Sequence, residues 1–420
     1  MDNFIPAKKY CKIIFDGTHE TPKPAEQGYP LVTSKNILGG TLDLTNTYYI
    51  SEKDYIEIQK RSKVSKWDIL FSMIGSVGEI YLEKNKTIPY AIKNVGVFSC
   101  KKEYDAKWLY YYLKSPYAKK FIRNYLSGAV QKFLPLETLR NFPVIPYDDK
   151  YSKNIDLLSS IESKIEINNK INIELESFVK TLFEYWFVQF DFPDANGKPY
   201  KTSGNKMAWN DRFKSDIPAG WHVGTFKDIL DKIECGDRPE GGIIEINKGV
   251  PSIGAENILG IGKYNFDQEK LIPNDYFSKM KNGIVKSGDV LMYKDGAGLG
   301  QVSIFKNGFP YEKCCINSHV FILRSNDKIS QNYLYFWLDQ DYIKKLIVRL
   351  GMKAAQPGIN QKEVDQIPIL IPDKNLIVDF ENIISSSVDM IFANSKLNKI
   401  LSDLLNWLLP LQINAQVKVN

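Results

Sequence analysis

The sequence has few residues of the kinds that build metal sites and disulfide frameworks. Its 420 residues include three histidines and five cysteines. No two cysteines have the CxxC spacing that is typical of a structural zinc site. Cysteines scattered in this way do not suggest a disulfide framework either, and they fit a reducing compartment. We therefore predict that the chain binds no metal ion.

Long apolar runs are also missing from the sequence. No stretch of about 18 consecutive apolar residues occurs, so we predict no membrane-spanning helix and no membrane partner. The acidic, polar start after Met1 does not have the pattern of a signal peptide. The formal net charge of +6 is compatible with a polyanionic partner, but many enzymes are as basic. We expect a cytoplasmic protein.

The usual signatures of catalysis are not found. There is no GxxxxGK[ST] loop, no GxSxG elbow, no HExxH pair and no Asn/Asp-Pro-Pro-aromatic tetrapeptide of base-methylating enzymes. Residues 295–300 (DGAGLG) superficially resemble a nucleotide loop or an S-adenosylmethionine loop. Because residues 301–305 read as a strand rather than a helix, a hairpin turn is the better interpretation. We predict no catalytic residue in this chain.

The chain does contain a long helical pattern, and it contains it twice. From residue 158 to residue 186, apolar residues and two asparagines recur at alternating steps of three and four. This spacing indicates one face of a helix that packs on a partner helix. Adding 226 to the residue numbers gives a second stretch with the same pattern. The matched positions begin with Leu158, Ile161, Ile165, Asn168 and Asn172 in the first helix and Ile384, Ser387, Ile391, Asn394 and Asn398 in the second.

The repeat extends beyond the helices. Its period near 220 residues is too long for a solenoid and indicates a duplicated domain. Residues 36–39 (NILG) return as 257–260, and residues 64–70 (VSKWDIL) return as 285–291 (VKSGDVL). The other matches are 94–98 (NVGVF) with 317–321 (NSHVF), 110–113 with 335–338, and 142–145 (FPVI) with 367–370 (IPIL).

These patterns predict an α+β fold with a pseudo-twofold internal repeat. Two similar mixed α/β domains are separated by two long antiparallel helices that form a coiled coil. Within the first domain, residues 107–125 are predicted as one helical stretch. The predicted boundaries are a first domain at 1–150, a first long helix at 151–190, a linker at 191–216, a second domain at 217–372, a second long helix at 373–410 and a tail at 411–420.

Several short motifs, in this order along the chain, give it a specific resemblance. They are residues 16–21 (DGTHET), 66–78 (KWDILFSMIGSVG), 182–192 (LFEYWFVQFDF), 217–221 (IPAGW), 288–291 (GDVL) and 356–360 (QPGIN). The chain resembles the specificity subunits of type I restriction-modification systems over essentially all of its length. Members of that family have two target-recognition domains, each followed by a long helix. The first domain here lacks the proline-glycine-tryptophan entry of the second, so its start is less sharply marked.

The resemblance implies a non-catalytic DNA-recognition subunit. Each domain would read one half of a bipartite target in double-stranded DNA, and the helices would set the spacer between the halves. It also implies two modification subunits as partners, which carry S-adenosylmethionine and methylate adenine. Restriction or motor subunits would join them and use ATP and Mg²⁺. This chain itself would bind no cofactor.

Base reading requires side chains that present hydrogen-bond donors and acceptors from loops. In the first domain we expect such contacts from Thr18, His19, Lys23, Lys35, Asn36, Gln131 and Lys132. In the second domain we expect them from Arg238, Asn257, Lys294, Lys353, Gln356 and Asn360. The alternative for each residue is an ordinary loop hydrogen bond or a solvated charge.

The long helices carry two further hypotheses. Antiparallel packing would place Asn168 and Asn172 opposite Asn394 and Asn398, where a polar layer would fix the helix register. The alternative is that these asparagines are exposed where the helices splay apart.

The bulky residues near the end of the first helix have no repeat counterpart of equal size. They are Phe183, Tyr185, Trp186 and Phe187. The resemblance implies that the modification subunits dock along this region, and the alternative is that these side chains pack on the adjacent domain.

Two other classes of protein remain open at this point. One is a helical adaptor or scaffold without DNA specificity, for which the repeated helices are the best argument. The other is a stand-alone DNA methyltransferase or nuclease.

Overall fold

Each half of the chain mixes short strands with helices and includes part of a long helix, as the sequence predicts. The computed structural model describes residues 4–127, 133–239, 246, 248–352 and 357–413. The chain divides into two units, one of Met1–Ser163 with Leu401–Asn420 and the other of Lys164–Ile400. In the described part of the chain, no helix is long and apolar enough to cross a membrane.

The first unit is built around an antiparallel sheet in the order β2-β10-β7-β8. A smaller sheet, β6-β3-β9, lies beside it in the chain, and β1 pairs with β11. The strands are β1 (Ile5–Pro6), β2 (Ile13–Asp16), β3 (Tyr29–Val32), β4 (Ile37–Leu38), β5 (Thr41–Leu42), β6 (Tyr49–Ile50), β7 (Ile69–Ser72), β8 (Ile80–Leu82), β9 (Ala91–Ile92), β10 (Val95–Ser99) and β11 (Pro143–Val144). The helices are α1 (Ala7–Tyr10), α2 (Glu52–Ser62), α3 (Glu103–Lys114), α4 (Pro116–Ser127), α5 (Leu136–Arg140) and the start of the long α6 (Ser152–Phe183).

The second unit repeats this plan. Its antiparallel sheet has the order β15-β21-β18-β19, its smaller sheet is β17-β16-β20, and β14 pairs with β22. The strands are β12 (Met207–Asn210), β13 (Ser215–Pro218), β14 (His222–Thr225), β15 (Leu230–Cys235), β16 (Val250–Ile253), β17 (Leu271–Ile272), β18 (Asp289–Tyr293), β19 (Val302–Phe305), β20 (Cys315–Ile316), β21 (Val320–Ser325) and β22 (Pro368–Ile371). The helices are α7 (Phe226–Ile229), α8 (Asn274–Lys279), α9 (Gln331–Leu338), α10 (Asp341–Gly351), α11 (Gln361–Val364), the rest of α6, and the long α12 (Lys374–Ile413) as far as residue 400. The duplication predicted from the sequence is thus present in the strand order.

The sheet registers correct one of the sequence matches. Val95 pairs with Ser72 in the first sheet, and Val320 pairs with Tyr293 in the second. Since Ser72 and Tyr293 are equivalent, Val95 corresponds to Val320, and the match of 94–98 with 317–321 is wrong by two residues. The insertions fall in the segments just before this strand. A shift of two keeps each side chain on the same face, which is why the sequence pattern did not reveal it.

Equivalent aromatic side chains tie each domain together even where the residue type changes. The Nε1 atom of Trp108 donates a hydrogen bond to the carbonyl oxygen of Ile145 at 2.7 Å. At the corresponding place in the second domain, the hydroxyl of Tyr333 donates to the carbonyl oxygen of Leu370 at 2.9 Å. Trp108 and Tyr333 are both buried, so their polar atoms need these partners. The two domains therefore preserve the hydrogen bond and not the residue.

The helical stretch predicted over residues 107–125 is two helices. Helix α3 ends at Lys114 and α4 begins at Pro116, with Ser115 between them in an extended conformation. A proline restricts the preceding residue to extended backbone and has no N–H for a helical hydrogen bond. Proline is well accommodated in the first turn of the next helix, so the chain turns at this point.

The segment predicted as a linker is folded in the structure. Its end forms the hairpin of β12 and β13. The carboxylate of Asp191 accepts hydrogen bonds from the backbone and the hydroxyl of Thr202 at 2.7 and 2.6 Å. The ring of Phe192 stacks on Trp221 with the ring centroids 5.4 Å apart. The glycine and proline residues of this segment therefore build turns that pack on the entry to the second domain.

Candidate nucleic-acid interface

In the first domain, a loop begins where strand β2 ends. A Cβ atom at Gly17 would lie 2.4 Å from the carbonyl oxygen of Ile92, so only glycine permits this close approach. The N–H of Thr18 donates to that same carbonyl at 3.1 Å, and the N–H of Asn94 donates to the Thr18 carbonyl at 3.2 Å. The backbone of Thr18 is thereby fixed against the neighbouring strand, at the edge of the sheet.

The carboxylate of Asp16, the last residue of β2, contacts two basic side chains beside this loop. His19 is exposed, and its Nε2 atom lies 3.1 Å from Asp16 Oδ2 while its Nδ1 atom lies 2.9 Å from Asn94 Oδ1. Arg61 Nη2 lies 3.3 Å from Asp16 Oδ1. Asp16 itself is only 6% exposed. One buried carboxylate thus holds two basic side chains, of which the sequence interpretation found His19 but not Arg61.

The remaining candidates of the first domain divide into three groups. Lys23 and Lys35 are exposed, as a contact to DNA requires. Gln131 and Lys132 lie outside the described residues. Asn36 is buried, and the structure gives it another role.

Asn36 and Asn257 are structural residues, which corrects their expected role as base readers. Asn36 Oδ1 accepts the N–H of Thr33 at 2.9 Å, and Asn257 Oδ1 accepts the N–H of Gly254 at 3.1 Å. The Nδ2 atom of each donates to a backbone carbonyl further along the chain, at 3.2 and 3.1 Å. Their exposed fractions are 5% and 0%. Both asparagines recur in the sequence because they cap the same turn in each domain.

In the second domain, Lys294 follows strand β18. Its Nζ atom lies 3.4 Å from Cys235 Sγ and 5.0 Å from the centroid of the Phe321 ring. Cys235 Sγ in turn lies 3.7 Å from the carbonyl oxygen of Ser318, to which it donates. Lys294 is half-buried, and its ammonium group lies at the same end of the sheet as the start of the loop that follows β15.

The loop after Lys294 is tied to the segment that contains Asn360. His319 Nδ1 lies 2.7 and 2.9 Å from the two carboxylate oxygens of Asp295. The N–H of Ile359 donates to the Lys294 carbonyl at 2.8 Å. Asn360 is exposed, and its Oδ1 atom accepts the N–H of Glu363 at 3.1 Å as the cap of α11. The hydrogen bond between Ile359 and Lys294 therefore brings the neighbouring Asn360 close to Lys294. The amide oxygen of Asn360 already accepts the hydrogen bond from Glu363.

A groove of about 530 Å³ lies between the loop at 235–237 and the end of α8. Lys279, Lys281 and Asn282 line it and are exposed, and the exposed Arg238 follows the loop directly. The sequence interpretation missed the first three. The run 279–283 (KMKNG) carried the signal, because two lysines and an asparagine precede a glycine, Gly283, with a φ of 77°. Lys353 and Gln356 lie outside the described residues.

A network of charged side chains supports this loop from beneath. The guanidinium group of Arg324 donates to the two carboxylate oxygens of Asp289 at 2.7 and 2.6 Å, and it also contacts Glu234. Burial disfavours the charge on Glu234, but the N–H of Gly283, Lys232 and Arg324 outweigh it and lower the pKa of that carboxyl group. Glu234 directly precedes Cys235, so the network holds the end of β15 in place.

The other cysteines differ from Cys235 in their surroundings. The hydrogen bond with Cys11 and burial raise the pKa of the Cys100 thiol. Burial also raises the pKa of Cys314 to about 12 and that of Cys315 to about 11. Among the described residues, no group of His, Cys, Asp and Glu side chains has the arrangement of a metal site.

The asparagines of the two long helices contact one another. Asn168 Nδ2 donates to Asn398 Oδ1 at 2.8 Å, and Asn394 Nδ2 donates to Asn172 Oδ1 at 2.9 Å. Residue numbers rise along α6 where they fall along α12, so the two contacting segments run in opposite directions. Asn172 Nδ2 also lies 3.2 Å from the hydroxyl of Ser395. Asn168 is 0% exposed and Asn394 is 9% exposed, while Asn172 and Asn398 are half-buried, so these amides form a largely enclosed layer rather than an open splay.

Three of the four proposed docking residues lie in the core of the second unit, which corrects that hypothesis. Phe183 and Phe187 are 0% exposed and Trp186 is 4% exposed. All three pack around Phe380 of α12, with ring centroids 5.0 to 6.0 Å apart. Their size serves this aromatic core. Tyr185, on the opposite side of the same turn, is 37% exposed, so its docking role stays a prediction.

A family model of the type I restriction modification DNA specificity domain matches the chain twice, over residues 18–177 and 218–406. The chain belongs to this family. Each match covers one domain and most of the long helix that follows it. The chain is therefore a DNA-specificity subunit of the type I restriction-modification kind, and such subunits are non-catalytic components of their systems. The interpretation as a stand-alone methyltransferase or nuclease is set aside on this ground.

Curated relatives agree with this placement. The specificity subunit of the type I restriction enzyme MjaIX from Methanocaldococcus jannaschii is 23% identical over 364 residues, which are 84% of this chain and 78% of the relative. The specificity subunit of the MjaVIII enzyme from the same organism is 25% identical over 363 residues, or 82% and 78%. That of the HindI enzyme from Haemophilus influenzae is 23% identical over 334 residues, or 65% and 68%.

A solved structure shares the fold. The S subunit of a type I restriction-modification system from M. genitalium aligns with 98% of this chain and 96% of its own length, at 15% identity and a TM-score of 0.53. The two-domain architecture is therefore that of a known specificity subunit.

The capping role of Asn257 is testable. We expect Asn257→Ala to lower the free energy of unfolding by about 1–3 kcal/mol, because it leaves a buried N–H and a half-buried carbonyl without their partner. The thermal midpoint of the second unit should fall by roughly 3–9 °C, while the DNA sequence that the subunit selects stays the same. The matched control is Asn282→Ala in the groove, which should leave the midpoint unchanged. A changed DNA preference in a fully stable Asn257→Ala variant would restore Asn257 as a base reader.

Proposed function

We propose that the two domains of this specificity subunit read the two halves of one bipartite sequence in double-stranded DNA. One observation carries the proposal: the domains share a strand order but differ in the side chains where the first strand of the main sheet ends. Asp16 holds His19 and Arg61 there in the first domain, whereas Cys235 contacts Lys294 in the second. A common scaffold with different donors and acceptors is what two different half-sites require.

The long helices are proposed to set the spacer between the half-sites as an antiparallel coiled coil. Two like units on antiparallel helices would be related by a pseudo-twofold axis, as half-sites are on DNA. Helix α12 has 40 residues, and a helix of that length spans about 60 Å. This exceeds one turn of DNA, which is about 34 Å. The asparagine layer supports the proposal, because a buried polar pair specifies register in coiled coils.

The docking surface for the modification subunits is proposed to be an outward stripe on each long helix. In α6, Ile171 and Phe178 are 39% and 47% exposed, and Tyr185 follows seven residues later. In α12, Met390 and Leu397 are 52% and 36% exposed at the same spacing. Apolar side chains that recur every seven residues on an exposed face fit a partner helix. Ile171 and Leu397 occupy equivalent repeat positions, which fits two copies of one partner.

The chemistry would then be divided among subunits. Two modification subunits would bind S-adenosylmethionine and methylate adenine in the target that this chain selects. Restriction or motor subunits would use ATP and Mg²⁺, and this chain would bind no cofactor. The complex would act on DNA in the cytoplasm.

The proposed function predicts a methylation pattern. DNA from cells that express this chain with its modification subunit should carry N6-methyladenine in one two-part motif, detected by single-molecule sequencing. Cells with the modification subunit alone should lack it. A soluble complex that methylates no motif would contradict the proposal and favour a helical adaptor without DNA specificity.

The stripe predicts how many modification subunits bind. Placing a charge in an apolar contact costs at least about 2–3 kcal/mol, or roughly 30- to 100-fold in Kd. We therefore expect Ile171→Glu and Leu397→Glu each to reduce the bound modification subunits from two to one, measured by native mass spectrometry. Lys170→Glu, an exposed position beside the stripe, is the matched control. Two subunits bound to both stripe variants would show that docking occurs elsewhere.

A further inference from the structure

The two main sheets end their first strand at equivalent positions with different chemistry. Asp16 is the last residue of β2 and Cys235 the last of β15, and a glycine follows each. A Cβ atom at Gly17 or Gly236 would lie only 2.4 or 2.0 Å from a carbonyl oxygen of the neighbouring segment. The backbone is therefore constrained in the same way in both domains, and the side chain at this position is what differs.

In the first domain this side chain is an anion. The carboxylate of Asp16 lies within 3.3 Å of both Arg61 and His19. Because a carboxylate offsets the charge of a cation that it holds, the charge of Arg61 is partly neutralised before DNA binds. Gly96 lies opposite Asp16 in the sheet and has no side chain that could contact Asp16 or its basic partners.

In the second domain the side chain is a thiol. Cys235 Sγ donates its proton to the Ser318 carbonyl and accepts from Lys294 Nζ at 3.4 Å. Opposite Cys235 in the sheet lies Phe321, and its ring centroid is 5.0 Å from the same Nζ atom. A thiol and an aromatic ring attract the ammonium group through weak, uncharged contacts. They orient Lys294 without cancelling its charge.

Nearby carboxylates do not supply the missing counter-charge. Asp295, the next residue in the chain, directs both of its oxygens to His319. Glu234 and Asp289 are engaged by Arg324. Across the ranges that the structure describes, no carboxylate forms an ion pair with Lys294. A half-buried cation without an anionic partner forms an especially favourable hydrogen bond when an acceptor enters the site.

We propose that Cys235 is a positioning residue that holds Lys294 for reading a guanine in the second half-site. This inference rests on the proposed function. Lysine recognises guanine through the O6 and N7 acceptors in the major groove. A lysine side chain that is held by two contacts loses less conformational entropy on binding than an exposed lysine does. It is therefore suited to contacting the edge of one base. Lys279 and Lys281, which are exposed on the groove, suit phosphates instead. The equivalent of Lys294 in the first domain is Met73, so that domain reads its half-site differently.

The test uses the complex with its modification subunits and DNA in which each base of the motif is varied. Lys294→Met should lose about 10- to 100-fold of the preference for guanine at one position of the second half-site. Cys235→Asp should act in the same direction, because its carboxylate neutralises Lys294, and Cys235→Ala should do so more weakly. Cys235→Ser should stay within about threefold, since its hydroxyl also accepts without carrying charge. Preferences in the first half-site should not change in any of them.

Lys279→Met is the matched control for a phosphate contact. It should weaken binding to all sequences evenly and reduce the dependence of affinity on salt. If Lys294→Met behaves in the same way, Lys294 contacts a phosphate and the inference is wrong. If folded Cys235→Asp and Cys235→Ala complexes keep the wild-type preference, Cys235 does not position Lys294. A wild-type complex that methylates no two-part motif would overturn the proposed function itself, which separates the two failures.

Discussion

The interaction on which the proposed function depends is the asparagine layer between α6 and α12. A buried amide that lacks a hydrogen-bond partner costs about 1–3 kcal/mol, so the helices favour the register in which these amides meet. The structure has Asn168 bonded to Asn398 and Asn172 bonded to Asn394. Sliding one helix by a turn would leave one asparagine pair, Asn168 with Asn394 or Asn172 with Asn398, and would separate the other two asparagines. We therefore propose that the layer sets the register of the helix pair, because other alignments separate asparagines that are bonded to each other here.

If the asparagine layer fixes the helix pair as proposed, the rest of each domain can change in sequence without altering the distance between the domains. The backbone hydrogen bond from Trp108 is preserved by Tyr333 with a different side chain, and Asn36 and Asn257 cap the same turn. These contacts maintain the scaffold. At the strand end the constraint is only on the glycine, so the preceding residue is free to be Asp16 in one domain and Cys235 in the other. Specificity is therefore expected to change at loop ends while the sheets stay the same.

The sequence predicted the larger features because they follow from periodicity and repetition. The spacing of Asn168 and Asn172 gave the helix face and its partner, and the matched motifs gave the duplicated domain. It misassigned Asn36 because a repeated polar residue is equally compatible with capping and with base reading, and only burial separates them. It misassigned Phe183 because its partner, Phe380, lies almost two hundred residues away. Lys294 and Cys235 are 59 residues apart, and a contact across that separation leaves no local sequence pattern either.

The spacer length that is chosen by a variant without the asparagine layer shows whether this layer sets the distance between the half-sites. In it, Asn168, Asn172, Asn394 and Asn398 are all replaced by leucine, and methylation is measured on DNA whose two half-sites are moved apart or together by single base pairs. With the register no longer specified, we predict that the variant accepts several spacer lengths where the wild-type complex accepts one. A variant that folds, methylates and keeps the single wild-type spacer would show that the layer does not set the distance between the half-sites.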